Sequence, residues 1–428
     1  MALTDFGLVT RSLRGRMFTT VTTTVSVGVA VGLLLVLLGM RGAAKESFSR
    51  GTGNATVLVS RDASALASVL NGMFYANPPR APIQWSEAEA LRSGRPWAWL
   101  VANQQGDSFR GFPVMAAEPG LWEHFEPVAG QAWRFGAGGA FGGAATEPSF
   151  SAVLGSRVAR ETGVGLGDRI SLSHGAPRDP GAHTHAEYEF EVVGVLAETG
   201  SPHDRAVFID LASGWVLHAH DRRKELLGDD IVTTPADVTD ADRQITGLYG
   251  AILSRPGRSS SAALAVELAT LSRAGWTVAQ PAAEVERLFS IVGDVDGILL
   301  GMAWAVMISS GIGVMLVLYN SMEQRRTQVA VLRVLGASRR RVFLMVLTES
   351  ALLGLLGVAL GVVVALVGGG VASGLLEARA GLVVEPGVPV ETVIVVGWAT
   401  VGLAMLAGLI PAAVAYRVSV VRSLRPVG

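Results

Sequence analysis

MFTTVTTTVSVGVAVGLLLVLLGM, residues 17–40, holds no charged side chain and contains the dense apolar run Val-Ala-Val-Gly-Leu-Leu-Leu-Val-Leu-Leu at 29–38. A spanning helix needs about 20 largely apolar residues to cross roughly 30 Å of hydrocarbon, so this stretch reads as a first transmembrane span. Arg11, Arg14 and Arg16 precede it. Its apolar length exceeds that of a secretory leader, and Met40-Arg41-Gly42 offers no small-x-small cleavage site, so the span is read as retained. Three further stretches, 297–322, 351–376 and 392–416, meet the same requirement and are rich in Gly, Ala, Val and Leu, which suits close helix packing in lipid. The fold class that follows is an α-helical membrane protein with four transmembrane helices plus a large mixed α/β extracytoplasmic domain.

Composition agrees. Half of the 428 residues are hydrophobic and only 17% charged, too apolar for a wholly soluble enzyme, and the length allows two or three structural units. The absence of cysteine excludes disulfides, thiolate zinc sites and cysteine nucleophiles. The net charge of -1 conceals a segregation of sign. Segments 1–16, 323–350 and 417–428 hold twelve arginines against Asp5, Glu323 and Glu349, and basic residues are retained on the cytoplasmic side. These are accordingly an amphipathic N-terminal segment, a loop with a short helix and a tail, all cytoplasmic. Loop 377–391, with one arginine and three glutamates, lies outside, as does the 41–296 insert with its 22 basic and 30 acidic residues. An acidic insert argues against nucleic acid as a partner.

Within the insert, 55–60 reads as a strand and Leu66, Val69, Leu70, Met73 and Phe74 follow a helical stripe. Ser86 with Glu89 forms a capping-box pattern for a second helix. Strands are expected near 97–101, 109–115, 188–196 and 204–211, helices at 156–162 and 262–274, and a glycine-rich loop at 136–143. The tryptophans of the insert are expected in its core. Val285, Leu288, Val292, Val295 and Leu299 carry a helical stripe into the second span with no proline to break it, either a plain packing helix or a stalk that transmits displacement at fixed length. The seven histidines all lie in the insert. His174, His183 and His185, with His203 beside Asp204, are candidate metal ligands, while His218 and His220, two apart in an expected helix, should face apart. The alternative for all of them is solvated histidine.

The cytoplasmic loop reads Tyr-Asn-Ser-Met-Glu-Gln-Arg-Arg-Thr-Gln-Val-Ala-Val-Leu-Arg-Val-Leu-Gly-Ala-Ser-Arg-Arg-Arg-Val-Phe over 319–343. Val329, Leu332 and Leu335 make an apolar stripe, Gly336 is a natural helix stop, and Ser338 can cap the helix that becomes span three. Such a helix either rests on phospholipid headgroups or docks a soluble partner.

This stretch, followed by Leu352-Leu353-Gly354-Leu355-Leu356-Gly357, resembles the MacB/FtsX-type ABC transporter permeases. So does the order of one span, a large outer domain, three spans and a basic tail. Gly165-Leu-Gly-Asp-Arg-Ile170 and Phe190-Glu-Val-Val-Gly-Val-Leu196 resemble strands of the MacB-like periplasmic domain. The resemblance implies a stand-alone permease of the bacterial inner membrane, a homodimer or a heterodimer with a related permease. A cytoplasmic ABC ATPase dimer, using ATP and Mg, would bind at the loop, and a periplasmic adaptor or substrate protein could join. Glu323, Arg325, Arg326, Val329, Leu332, Arg333, Leu335 and Gly336 are the implied ATPase-coupling residues, with the three apolar ones in the ATPase groove. Val285, Leu288, Val292 and Val295 are the implied stalk.

This chain should not itself hydrolyse ATP or carry a cofactor: a P-loop needs Gly-Lys-Ser/Thr, whereas its two lysines, Lys45 and Lys224, are each followed by Glu. The implied activity is mechanotransmission, ATP-driven motion of the outer domain that exports or extracts an apolar, peptide or lipoprotein-like substrate. The rivals are FtsX-like regulation of an envelope partner and a metal-linked export or sensing device built on the histidines.

Overall fold

The computed structural model describes residues 5–78, 81–143, 145–175, 183–228, 231–252, 269–272, 274–324, 326–380 and 387–417. The chain divides into two compact units, one built on long apolar helices and one on Lys45–Ile291.

The helical unit contains α1 (Asp5–Arg14) and most of α2 (Met17–Gly51), whose last turns from Lys45 belong to the outer domain. The outer domain runs through β1 (Val57–Ser60), α3 (Ala65–Gly72), β2 (Ile83–Gln84), α4 (Trp85–Ser93), β3 (Trp97–Phe109), β4 (Phe112–Ala117), α5 (Gly120–His124), β5 (Phe135–Gly138), β6 (Ser151–Leu154) and α6 (Ser156–Thr162). It continues with β7 (Arg169–Ile170), β8 (Ser173–His174), β9 (His183–Thr184), β10 (Phe190–Leu196), β11 (Val207–Asp210), α7 (Leu211–Leu227), β12 (Gln244–Ile245), β13 (Gly247–Ile252) and β14 (Thr277–Ala279). Then come α8 (Pro281–Gln324), α9 (Arg326–Val334), α10 (Arg339–Ala380) and α11 (Val390–Arg417).

Four of these helices are long and apolar enough to cross a membrane, within Met17–Gly51, Gly297–Met322, Arg339–Leu375 and Val390–Arg417. The spans pack through glycine. Gly28 and Gly32 on α2 face Leu360 and Val364, while Gly357 and Gly361 on α10 face Val27 and Val31. A Cβ at Gly32 would stand 2.5 Å from Val364 Cγ1, and one at Gly357 2.3 Å from Val27 Cγ1. Each helix thus offers a small-xxx-small notch into which the other sets a β-branched or leucine knob, the close van der Waals packing that holds helices together in lipid, where no water is released to drive association.

In the outer domain the main sheet runs β14-β1-β13-β3-β4-β11-β6-β10-β5. Its pairs are antiparallel except β4 with β11 and β6 with β10. Alternation along each strand separates two cores: Val57, Ala102, Ala152, Leu154, Val207 and Ile209 face one cluster with Trp215 of α7, and Leu58, Val101, Val153 and Phe208 face another with Val69 and Met73 of the α3 segment. Val285 is buried in this second cluster, with Leu288 and Phe289 packed against it beside Phe48 and Phe74. The tryptophans at 85, 133 and 215 are buried, and those at 97, 99, 122 and 276 partly so, as a core role requires.

Several local expectations need correction. The cap of α4 lies two residues earlier than Ser86 and Glu89: Gln84 N–H donates to Glu87 Oε2 at 3.1 Å. Strand β3 runs on through Asn103, Gln104 and Gln105, whose polarity hides a buried strand. Gln105 satisfies its amide by donating to Gly72 O at 2.7 Å. The glycine run 136–143 opens as strand β5, because bare glycines let the backbone come close: a Cβ on Gly194 of β10 would meet Gly139 O at 2.1 Å. Most of the helix expected at 262–274 lies outside the described residues.

Candidate functional site

The cytoplasmic loop is built as a short helix stopped and restarted by local hydrogen bonds. Gly336 has φ 97°, so it takes the left-handed conformation that glycine adopts without penalty. There Ala337 N–H donates to Leu332 O at 3.0 Å and Gly336 N–H to Arg333 O at 3.2 Å, which satisfies carbonyls that the end of α9 would leave open. Ser338 Oγ then accepts from Arg341 N–H at 3.2 Å, the expected cap of α10.

The apolar side chains of α9 divide differently from the expected stripe. Val329 is buried with Met322, Val342, Val346, Ala412 and Ala415, so it seats the helix on its own bundle and is not presented to a groove. Leu332 and Arg333 are half-buried. The exposed apolar residues are Val331, Val334 and Leu335, the last 79% exposed. They sit at i, i+3 and i+4, one helix face, and that spacing in the sequence was the signal for Val331 and Val334. The side chains of Glu323, Arg325 and Arg326 lie outside the described residues, as do those of Val292 and Val295 in the expected stalk. Helix α8 is continuous from Pro281 to Gln324. Helix α1 adjoins the base of α10, with Ser12 Oγ donating to Glu349 Oε1 at 3.1 Å.

A second cluster lies in the outer domain. Strands β8 and β9 pair with His174 opposite His183, and His185 follows, its N–H held by Leu172 O at 2.9 Å. Helix α7 brings His218 and Asp221 to the same place, since residues three apart share a helix face, and β3 brings Asp107. His174 Nδ1 donates to Asp107 Oδ1 at 2.9 Å, and His183 Nε2 to Asp221 Oδ1 at 2.7 Å. His185 Nε2 is 3.5 Å from Asp221 Oδ2. Two sets, Asp107 with His174 and His218, and His174 with His185 and Asp221, place one ligand atom of each member within 4.8 Å of the others. Burial opposes the charge on Asp107, yet the His174 hydrogen bond and the positive fields of His218, His174 and His185 hold its carboxyl below the usual range. Burial pushes the His185 imidazole down, which favours the neutral, metal-binding form.

His220 hydrogen-bonds instead with Tyr188 and Thr233, its ring edge-on to that of His185 at 6.1 Å. His203 does not join the cluster. It is fully buried, its Nδ1 is 2.7 Å from Tyr75 Oη, and rings of Phe125 and Trp133 surround it. Burial takes its pKa down to about 3. The sequence missed Asp107 and offered Asp221 only as the neighbour of His218 and His220, because only strand pairing and helix phase bring the two carboxylates to β8 and β9.

The family follows from the two halves together. Residues 17–248 match the MacB-like periplasmic core domain, and residues 300–420 match the FtsX-like permease C-terminal domain. The chain belongs to the MacB/FtsX family of ABC-transporter permeases. This permease is therefore a multi-pass protein of the inner membrane with a large extracytoplasmic domain, and permeases of the family are generally not enzymes themselves. Among solved structures, the extracellular domain of the noncanonic ABC-type transporter YknZ from Gram-positive bacteria is similar at 12% identity with a TM-score of 0.28, over 53% of this chain and 99% of that one. No curated protein matches the permease.

Proposed function

We propose that the protein is the transmembrane subunit of an ABC transporter working by mechanotransmission: a separate cytoplasmic ATPase docks on α9, and its closure drives the outer domain to export or extract an apolar or peptide-like substrate. The observation that carries the reading is the exposed Val331, Val334 and Leu335 face on a helix whose other side is anchored by Val329. Apolar side chains held outward on a cytoplasmic helix lower the free energy of docking when covered, and a helix seated on the bundle passes on a push that a loose loop would absorb. The uninterrupted α8 supports the second half of the path, since a continuous helix passes displacement along its length.

The test isolates the tagged full chain from native membranes and compares wild type with Leu335→Asp, a change at an exposed position that leaves the buried Val329 contact intact. A P-loop ATPase should copurify with wild type and fall at least tenfold with the variant, for an added charge in a desolvated contact costs roughly 1.4 kcal/mol or more. If no ATPase is retained even after crosslinking, or if the variant retains it fully, docking on this face is wrong.

A further inference from the structure

We infer that the outer domain holds a divalent transition-metal ion of the zinc class, bound by His174, His185 and Asp221, with His183 hydrogen-bonded to Asp221 and with Asp107 and His218 flanking His174. Four arguments lead there. The ligand types are imidazole and carboxylate without thiolate, a set that suits zinc, nickel or copper better than magnesium or calcium. The spacing is right: zinc ligands about 2.0–2.1 Å from the ion in a tetrahedron stand roughly 3.3 Å from each other, and His185 Nε2 and Asp221 Oδ2 are 3.5 Å apart. Those same two atoms are buried without a hydrogen-bond partner, and so is His218 Nε2. A buried polar atom left unpaired costs about 1–3 kcal/mol, whereas a metal ion would satisfy them together. Finally, His185 is only 1% exposed, so its ring is fixed toward the cluster rather than turned to water.

The ligands come from separate parts of the chain. The β8–β9 hairpin supplies the histidines and α7 supplies Asp221, with β3 adding Asp107 alongside. A bound ion would therefore clamp the hairpin onto the helix, and it would favour the folded outer domain by mass action because the unfolded chain has no assembled site. This inference stands on the outer domain alone and is independent of ATPase docking.

The test uses the full chain purified in detergent with a tag free of histidine, stripped with a chelator and titrated with zinc ion. Tightly bound zinc near one ion per chain, with a raised unfolding temperature, is expected. His185→Gln and Asp221→Asn should each weaken binding beyond the ~10–100-fold typical of losing an outer-shell partner, while His203→Gln, which removes a histidine elsewhere, should leave it unchanged. His174→Asn with His183→Asn, at partly exposed positions, provides a second variant should burial make the first two unstable. Absence of stoichiometric zinc on a folded chain, or equal zinc retention in the cluster variants, overturns the site.

Discussion

Glycine packs both halves of this protein, yet it is needed for different reasons in each. In the spans, a Cβ at Gly32, Gly357 or Gly361 would meet side-chain atoms, the γ-methyls of Val364, Val27 and Val31. In the outer domain, a Cβ at Gly155 would stand 2.3 Å from Asp204 O, and one at Gly194 2.1 Å from Gly139 O. A methyl can be cut back or a rotamer turned, whereas a carbonyl oxygen belongs to the main chain and cannot be removed. At these positions, close approach is set by side chains in the membrane half and by the main chain in the outer half.

The sharpest break of that contrast is Gly155→Ala. It should destabilise the outer domain by about 3 kcal/mol or more, read as loss of cooperative unfolding by tryptophan fluorescence, and no truncation of a neighbouring side chain should restore it. Next in size, Gly361→Ala should cost about 1–3 kcal/mol in a thermal assay of the detergent-solubilised chain. Adding Val31→Gly, which removes both the γ-methyl at 2.5 Å and the β-carbon at 2.7 Å, should recover part of it, and Gly402→Ala, where a Cβ meets nothing within 4 Å, should be near neutral. If Val31→Gly gives no recovery, the interlocked notches are not what holds α2 to α10.

The smallest effect concerns charge. His203 titrates near 3 when folded because burial disfavours its cation, against about 6.5 in an unfolded chain. As pH falls through 6.5 toward 3, the unfolded state gains a proton that the native state refuses, so stability is lost on acidification. At pH 5.5 the loss should be about 1.3 kcal/mol relative to neutral pH. His203→Gln should flatten this part of the stability profile, and an unchanged slope would mean that the ring is protonated in the folded chain.

The same contrast explains what could be read from the chain. Span positions obey one rule, length and apolarity, which a local window captures, and α8 could be followed because nothing interrupts its period. The outer sheet depends on distant partners: β1 lies between β13 and β14, and no feature of Gly-Leu-Tyr-Gly-Ala-Ile at β13 announces a partner at residues 57–60. Asn103, Gln104 and Gln105 read as surface because local polarity ordinarily means water, and only the packed sheet reveals their burial. On α9 the apolar residues were visible but their partition was not, since Val329 is buried by Val342, Val346, Ala412 and Ala415 from later in the chain. The histidines were legible as ligand chemistry, as was Asp221 beside His218, but Asp107 was not, and His203 was separated from them only by its surroundings of aromatic rings.

The pairing of β1 with β14, Leu58 opposite Ala279, also sets a timetable. These strands are the first and last of the outer domain, so while the protein is being made the earlier one must wait for the whole domain to emerge. At about 5–20 residues per second, that delay lasts roughly ten to forty seconds. During it, the buried edge of Val57–Ser60 is open to any passing strand. The outer domain is thus most exposed to mispairing during its own synthesis, and conditions that slow elongation should lower its yield more than they lower that of the spans.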